Sequence, residues 1–404
     1  MPLHQFLNDG GAPHKRLPPT IHVAGTNGKG STIAMLRAIY RAQGYKVHVM
    51  TSPHLYDITE RLVLSNEQIT QKQLWEALKA HKNLAKKHQL SWYEFLVGVS
   101  FVLASKTPAD LMLLEVGLGG EFDATNVIET PILSLITPIS LDHYDFLGKD
   151  LKGIAKAKAG IIKTNCPCLS AQQVPEVEAV LRETAQHIKA PLHFVSLSKK
   201  MVYKLNLPGK HQEDNAQLAL EAVSLLQTIL PVDHKAIEAG LQAIHWPGRL
   251  EYLGKMKGAS LWFDVAHNPA SAQAVYDFFI KRPGRKCLIF ALLKSKDAPE
   301  TVRPLVKGFD HLIFFSPKDS PRYHPPEDLV EIVESLEGKA HNLTTFSLTT
   351  FGLTTFESAL DKALELEPKD LLIAGSHYFS GELSGVLLRK KAFQRSRKDV
   401  PSLN

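Results

Sequence analysis

Apolar positions along this chain recur in two rhythms. Thr20–Ala24 reads as a short buried strand. A glycine-rich turn follows it, and Ile33, Leu36 and Tyr40 then mark one helical face that ends near Gly44. Lys46–Met50 reads as a second strand, and Asp110–Val116 and Ile132–Ile136 as two more. Continuous apolar runs of strand length belong to sheets covered on both faces, so the sheet is expected to be parallel. Tyr93–Ala104 is apolar on nearly every side, which predicts a helix packed between layers. The sequence HWPGR at 245–249 puts Pro and Gly between helical and strand-like text and marks a boundary. Beyond it, Leu261–Val265, Lys286–Leu292, His311–Phe315 and Leu371–Gly375 read as strands, interleaved with helical stretches such as Ala270–Ile280. The expectation is an α/β protein of two domains, 1–245 and 246–404. The repeat LTTF, SLTTF, GLTTF from Leu343 to Phe356 matches no solenoid period and reads as a local duplication at a strand–loop–helix junction.

The 404 residues are enough for two or three domains, and 44% hydrophobic with 22% charged residues is ordinary globular composition, which excludes a disordered or fibrous chain. No run approaches about eighteen apolar residues and the N-terminus lacks an apolar signal core, so neither membrane nor export is expected, and the reading is cytoplasmic. Three cysteines, with Cys166 and Cys168 in a lone CxC, suggest neither a disulfide framework nor a zinc site. The net charge of +6 suits an anionic ligand. The basic run Arg389, Lys390, Lys391, Arg395, Arg397 and Lys398 reads as a solvated tail, with a nucleic-acid patch as the competing reading.

The strongest local signal is HVAGTNGKGST, His22–Thr32, a glycine-rich loop after a strand and before a helix. Glycines let backbone N–H groups approach phosphate, the helix N-terminus adds its dipole, and Lys29 adds a point charge. The loop departs from Walker A, with Val23 in place of Gly and Gly30 where a hydroxyl should follow the lysine. Glu115 ends an apolar run, as an acidic residue near nucleotide-bound Mg²⁺ would, and equally as a solvated strand terminus would. His143, in LDH after the next strand, reads as a ligand or as a structural histidine.

Taken together, GTNGKGS at 25–31, TSPHL at 51–55, YEFL at 93–96, EVGLGGEFDATN at 115–126, LDH at 141–143, KAGI at 158–161, WPGR at 246–249, DVAHNP at 264–269 and GSHY at 375–378 resemble the folylpolyglutamate synthase and dihydrofolate synthase family, relatives of the cell-wall Mur ligases. The resemblance covers almost the whole chain. It implies a P-loop, Mur-ligase-like central domain with a mostly parallel sheet and a smaller Rossmann-like C-terminal domain. It also implies an ATP-dependent ligase that adds L-glutamate to dihydropteroate or to the γ-carboxylate of a folate through an acyl phosphate.

By the same resemblance, Gly25, Thr26, Asn27, Gly28, Lys29, Gly30, Ser31 and Thr32 cradle ATP. Ser52, Glu115 and His143 hold Mg²⁺, and Ser52 supplies the hydroxyl that Gly30 lacks. Lys158 matches a lysine that can be carbamylated to serve a second Mg²⁺, with a surface lysine on the helix Leu151–Ala159 as the competing, less favoured reading. K⁺ is a further cofactor that the family allows. Arg249 is expected on the phosphates, Asp264 near the ribose, and His267 and Ser376 toward glutamate. Asn215 faces the adenine, or is a plain helix N-cap. Asp123 is a residue able to hydrogen-bond a pterin. Lys29, Lys158, Arg249 and His267 are the candidate catalytic residues. The expected partners are small molecules (pteroate or folate, L-glutamate, ATP), with no nucleic acid and no membrane, acting on a monomer.

Several positions depart from the family pattern: Ala157 stands where Glu is usual, Ile58 and Thr59 where an aromatic and Asn are usual, and Glu121 where some two-activity enzymes carry Arg. The segment before the nucleotide loop is shorter than in relatives, which predicts a reduced N-terminal helical cover. A cell-wall precursor ligase and a nucleic-acid-dependent P-loop ATPase are the competing functions. The first is disfavoured by DVAHNP and TSPHL, and the second predicts no requirement for glutamate.

Overall fold

The computed structural model describes residues 2–142, 150–196, 201–317, 320–338, 349–353, 355–378 and 380–389. These form two compact units. One holds most residues up to His245, and the other holds those from Trp246 on together with Asp142 and Leu207–Lys210.

The first unit is built on strands β1 (Thr20–Ala24), β2 (Val47–Met50), β3 (Leu62–Leu64), β4 (Glu67–Gln68), β5 (Leu111–Glu115), β6 (Leu133–Ile136), β7 (Cys168–Ser170) and β8 (Leu192–Phe194), in the order β4-β3-β2-β5-β1-β6-β7-β8. From β2 to β8 the pairings are parallel, and β3 and β4 add an antiparallel edge. Every residue of β1, β2, β5 and β6 is buried, as their apolar runs require of a sheet covered on both faces. Its helices are α1 (Pro2–Asp9), α2 (Lys29–Ala42), α3 (Gln71–Lys87), α4 (Trp92–Lys106), α5 (Leu151–Ala159), α6 (Pro175–His187), α7 (Lys210–Leu225) and α8 (His234–Ala243).

Helix α4 starts at a capping box between Ser91 and Glu94 and buries Leu96–Val102 almost continuously. Helix α1, at two turns, is too short to show a period in the sequence. It buries Leu3, Phe6 and Leu7, and a Cβ at Gly98 of α4 would fall 2.6 Å from the Phe6 ring. The segment ahead of β1 is therefore partly helical and packs on α4.

The second unit comprises β9 (Glu251–Met256), β10 (Ala259–Phe263), β11 (Lys286–Phe290), β12 (His311–Phe315), β13 (Thr349–Leu353) and β14 (Asp370–Ala374), ordered β13-β12-β11-β14-β10-β9, with α9 (Pro269–Phe279), α10 (Ala298–Gly308), α11 (Pro326–Gly338), α12 (Phe356–Glu365) and α13 (Ser380–Arg389). All its pairings are parallel except β9 with β10. Strand β13 and the start of α12 fall inside the LTTF repeat, as its reading as a strand–loop–helix junction expects; positions 343–348 and 354 of that repeat lie outside the described residues. The basic run beyond Arg389 also lies outside them. Among the described residues no helix is long and apolar enough to cross a membrane.

At the amino end of β14, Asp370 is fully buried and accepts from Arg282 Nε at 3.0 Å and Nη2 at 2.8 Å and from Trp262 Nε1 at 2.9 Å. The Arg282 guanidinium also stacks over the Trp262 ring, 4.7 Å from its centroid. Asp370→Ala is expected to leave the Trp262 N–H unpaired and Arg282 without its carboxylate. Arg282 keeps water on its exposed edge, so the expected loss is about 2 kcal/mol, read as a lower urea midpoint. An unchanged midpoint would show that this cluster does not stabilise the sheet.

Candidate active site

Strand β1 lies between β5 and β6, with Val23 opposite Glu115 and Ala24 opposite Ile136. β2 runs on the other side of β5, with Met50 opposite Leu114. All four strands are parallel, so Gly25, Ser52, Glu115 and Thr137–Ser140 emerge at one edge of the sheet. Loops at the carboxyl edge of an open α/β sheet are where ligands bind.

The glycine-rich loop fits this edge only without side chains. Gly25 has φ 142°, and a Cβ there would fall 1.9 Å from Thr137 Oγ1 and 2.9 Å from its carbonyl oxygen. Gly28, at φ 89°, starts α2 as a left-handed N-cap. The loop is pinned to the chain after β6. Thr26 N donates to the Pro138 carbonyl at 3.0 Å, Thr26 Oγ1 donates to the Ser140 carbonyl at 2.9 Å, and Asn27 N donates to the Pro138 carbonyl at 3.4 Å. Gly30, Ser31 and Thr32 form the buried first turn of α2, and the Ser31 and Thr32 hydroxyls have no hydrogen-bond partner among the described residues.

Charged groups gather on this loop. Lys29 Nζ donates to the Gly25 and Thr26 carbonyls at 3.2 Å each and lies 3.9 Å from Glu115. Glu115 is 5% exposed and accepts from Ser52 N at 3.0 Å, which brings two of the expected metal ligands together. Lys158, near the end of α5, is buried rather than on the surface, and its Nζ donates to the Gly25 carbonyl at 2.8 Å. The reading of it as a surface lysine is overturned because its helix packs that face against the nucleotide loop. His143 lies outside the described residues.

Asn215 is not a helix N-cap. Helix α7 begins five residues earlier, at Lys210, so Asn215 falls in its second turn, buried, with Nδ2 donating to Gln212 Oε1 at 3.1 Å. Its Oδ1 lies 2.4 Å from where a Cβ on Gly28 would stand, so Asn215 abuts the nucleotide loop.

Two further loops border this edge. In the first, Glu60 accepts from the backbone N–H groups of Leu55, Tyr56 and Asp57, and Arg61 Nε donates to His54 Nδ1 at 2.9 Å. Thr59, one of the departures noted above, is buried and donates to Asp57 Oδ1, so it serves the turn itself. In the second, Asp123 is buried, and its carboxylate accepts from Leu118 N, Thr125 N and Thr125 Oγ1. Burial raises its pKa, while the hydrogen bonds from Thr125, Leu118 and Gly117 oppose that rise. Glu121 N donates to the Ala157 carbonyl, which joins this loop to α5 through backbone that needs no Glu at 157.

Tyr93, which the residue assignments above did not include, stands against Gly117, where a Cβ would meet its hydroxyl at 2.2 Å. Burial, followed by the carboxylate of Asp123, pushes its hydroxyl above the ordinary phenol range. The YEFL block was its one sequence signal.

In the second unit, Asp264 and His267 follow β10 and Ser376 follows the adjacent β14, while Arg249 precedes β9, which runs antiparallel to β10. Asp264 is buried, and its oxygens accept from Leu250 N and Ala266 N at 2.7 Å each, which fixes the backbone beside both Arg249 and His267. Arg249 is half-buried, with Nη1 donating to the Gly248 carbonyl at 2.9 Å. His267 Nδ1 donates to the Val265 carbonyl at 2.7 Å, and a carbonyl can only accept, so Nδ1 carries a proton and Nε2 lies 3.6 Å from Asp142. Ser376 is buried; its Oγ accepts from Tyr323 at 3.1 Å and from Tyr378 N at 3.2 Å. Tyr323 is a second residue that sequence reasoning missed, since nothing in its local sequence marks it.

Residues 23–199 match the Mur ligase middle domain and 248–377 the Mur ligase glutamate ligase domain. A dihydrofolate synthase/folylpolyglutamate synthase of Bacillus subtilis is 32% identical over 369 residues, 82% of this chain and 84% of that relative. The chain belongs to the dihydrofolate synthase/folylpolyglutamate synthase family. Membership makes it an ATP-dependent ligase. Among solved structures of the family, folylpolyglutamate synthase of Mycobacterium tuberculosis complexed with ADP matches with a TM-score of 0.84 at 27% identity, covering 95% of this chain and 93% of that one. A bifunctional folylpolyglutamate synthase/dihydrofolate synthase with Mn, AMPPNP and L-glutamate bound matches with a TM-score of 0.81 at 27% identity, covering 96% of this chain and 93% of that one.

Gly25→Ala is expected to weaken ADP binding by at least about tenfold, or about 1.4 kcal/mol, because the loop must shift away from both Thr137 atoms. Titration calorimetry checks this, and unchanged affinity would separate the loop conformation from nucleotide binding.

Proposed function

We propose that this enzyme joins L-glutamate to the carboxylate of dihydropteroate or of a reduced folate, using ATP, through an acyl phosphate. The observation that carries the reading is the convergence of Lys29, Ser52, Glu115 and Lys158 on the loop Gly25–Thr32. That arrangement suits phosphoryl transfer to an acid. A carboxylate oxygen of the acceptor attacks the γ-phosphorus, the bond to the bridging oxygen breaks, and ADP leaves with the electron pair. The glutamate nitrogen then attacks the acyl carbon, the bond to phosphate breaks, and the amine gives up a proton as the amide forms.

In this reading Lys29, Arg249 and the N–H groups of Gly25–Thr32 meet the charge that grows on the phosphoryl oxygens. Asn215 borders the adenine and Asp264 the ribose. His267 and Ser376 orient glutamate, with Ser376 held by Tyr323. Asp123, Tyr93 and the Arg61–His54 pair border the acceptor.

Glu115, Ser52 and Ser31 offer the oxygen donors that suit Mg²⁺. Among the described residues no three His, Cys, Asp or Glu side chains gather as a ready metal cluster, so phosphate and water oxygens would complete the set. When bound, Mg²⁺ neutralises charge on the outer phosphates. We also infer a second Mg²⁺ at a carbamylated Lys158, with His143 on the first, K⁺ as an additional ion, and action as a cytoplasmic monomer. ¹³C NMR after equilibration with ¹³C-bicarbonate tests the carbamate.

Mass spectrometry after incubation with ATP, glutamate and either acceptor should find a product heavier by one glutamyl residue, formed together with ADP. ATP turnover that needs nucleic acid and not glutamate would overturn the proposal. Lys29→Ala is expected to keep the fold and lower kcat by about 100-fold or more, on the order of 3 kcal/mol of lost charge stabilisation. Ser52→Ala is expected to raise the Mg²⁺ requirement far more than the glutamate requirement. Unchanged Mg²⁺ dependence would move the hydroxyl role to Ser31.

A further inference from the structure

His22 lies on β1 three residues before Gly25 and is fully buried, and none of the roles above uses it. Its Nε2 stands 2.8 Å from Thr125 Oγ1, and Thr125 Oγ1 stands 2.6 Å from Asp123 Oδ1. The donors and acceptors around this chain fix its direction. Asp123 Oδ1 also accepts from Thr125 N, and Oδ2 accepts from Leu118 N, each at 2.9 Å, so the carboxylate is an acceptor at both oxygens. The Thr125 hydroxyl must then give its proton to Asp123, and only its lone pairs remain for His22. Nε2 therefore carries the imidazole proton. Nδ1 is left bare, and it has no hydrogen-bond partner among the described residues. Burial holds the ring neutral, with its pKa pushed down to about 3, so the ring carries a single proton.

A histidine here is expensive. Its neighbours Ile21 and Val23 are apolar, and an unpaired buried nitrogen costs about 1–3 kcal/mol that an apolar side chain would avoid. What the imidazole adds is one directed N–H between the strand that enters the nucleotide loop and the turn that follows Glu115.

We propose that His22 is a positioning residue for the acceptor-side loop Gly117–Thr125: through the Thr125 hydroxyl it orients the Asp123 carboxylate, which holds that loop in register with the nucleotide loop. This rests on the reading above that the loop borders the acceptor. The relay ties the two loops whose ligands must meet, because the acceptor's carboxylate has to reach the γ-phosphate bound by the other.

The test pairs kinetics with a measurement that needs no activity. Thr125→Val keeps the shape and removes the hydroxyl; it is expected to raise the acceptor KM about tenfold and to leave the ATP KM within about twofold. Thr125→Ser restores the hydroxyl and should return the acceptor KM to within about twofold of wild type. His22→Phe should match Thr125→Val. A purely structural role would instead lower the amount of active enzyme, and so the apparent kcat, without separating the two KM values.

In ¹⁵N-histidine-labelled wild type, the signal assigned through its loss in His22→Phe should be a neutral Nε2–H tautomer that does not titrate between about pH 5 and 8. The same acceptor KM for Thr125→Val and Thr125→Ser, or an imidazole that is Nδ1-protonated or titrating, would overturn the proposal. Wild type with no turnover of either acceptor would overturn the functional reading and the acceptor role together, while the tautomer signal would still report whether the relay exists.

Discussion

The parallel pairing of β1 between β5 and β6 is the constraint on which the site depends. With all three strands buried on both faces, a one-residue slip would reverse every side chain between the two layers, so the register is held by the whole core. That register sets Val23 opposite Glu115 and Ala24 opposite Ile136, and so decides which residues emerge beside Gly25. The contacts of Thr26 and Asn27 with Pro138 and Ser140 follow from it, and that of Ser52 with Glu115 follows from the pairing of β2 with β5. The site is a property of the sheet edge more than of any single loop.

Three carboxylates beside the candidate sites act on backbone. Glu60 gathers three N–H groups, Asp123 closes the turn after Glu115, and Asp264 joins Leu250 to Ala266. Loops that approach charged ligands need rigidity without apolar packing, and a buried carboxylate accepting several N–H bonds supplies it. Groups such as Arg249 and His267 can then reach outward from fixed backbone while their neighbours carry the structural load. The departures at Ile58, Thr59 and Ala157 are tolerated for the same reason: the turns around them are closed by backbone groups and by Asp57 and Glu60.

Much was readable from the sequence alone. β1 and β12 have the bounds that their apolar runs predicted, because a short run buried on both faces has no other stable arrangement. The nucleotide loop was legible from its glycines, and the ligase chemistry from motifs in a fixed order. The tertiary structure alone decided that α1 covers α4, that β13 pairs with β12, and that Lys158 is buried on Gly25. It alone decided between a helix cap and the nucleotide loop for Asn215, setting it on the flank of Gly28, and it alone joined His22 to Thr125, residues 103 apart in sequence. Local sequence encodes period, turn chemistry and burial. Which distant polar groups meet depends on strand order and register, and these are set by packing across the whole sheet.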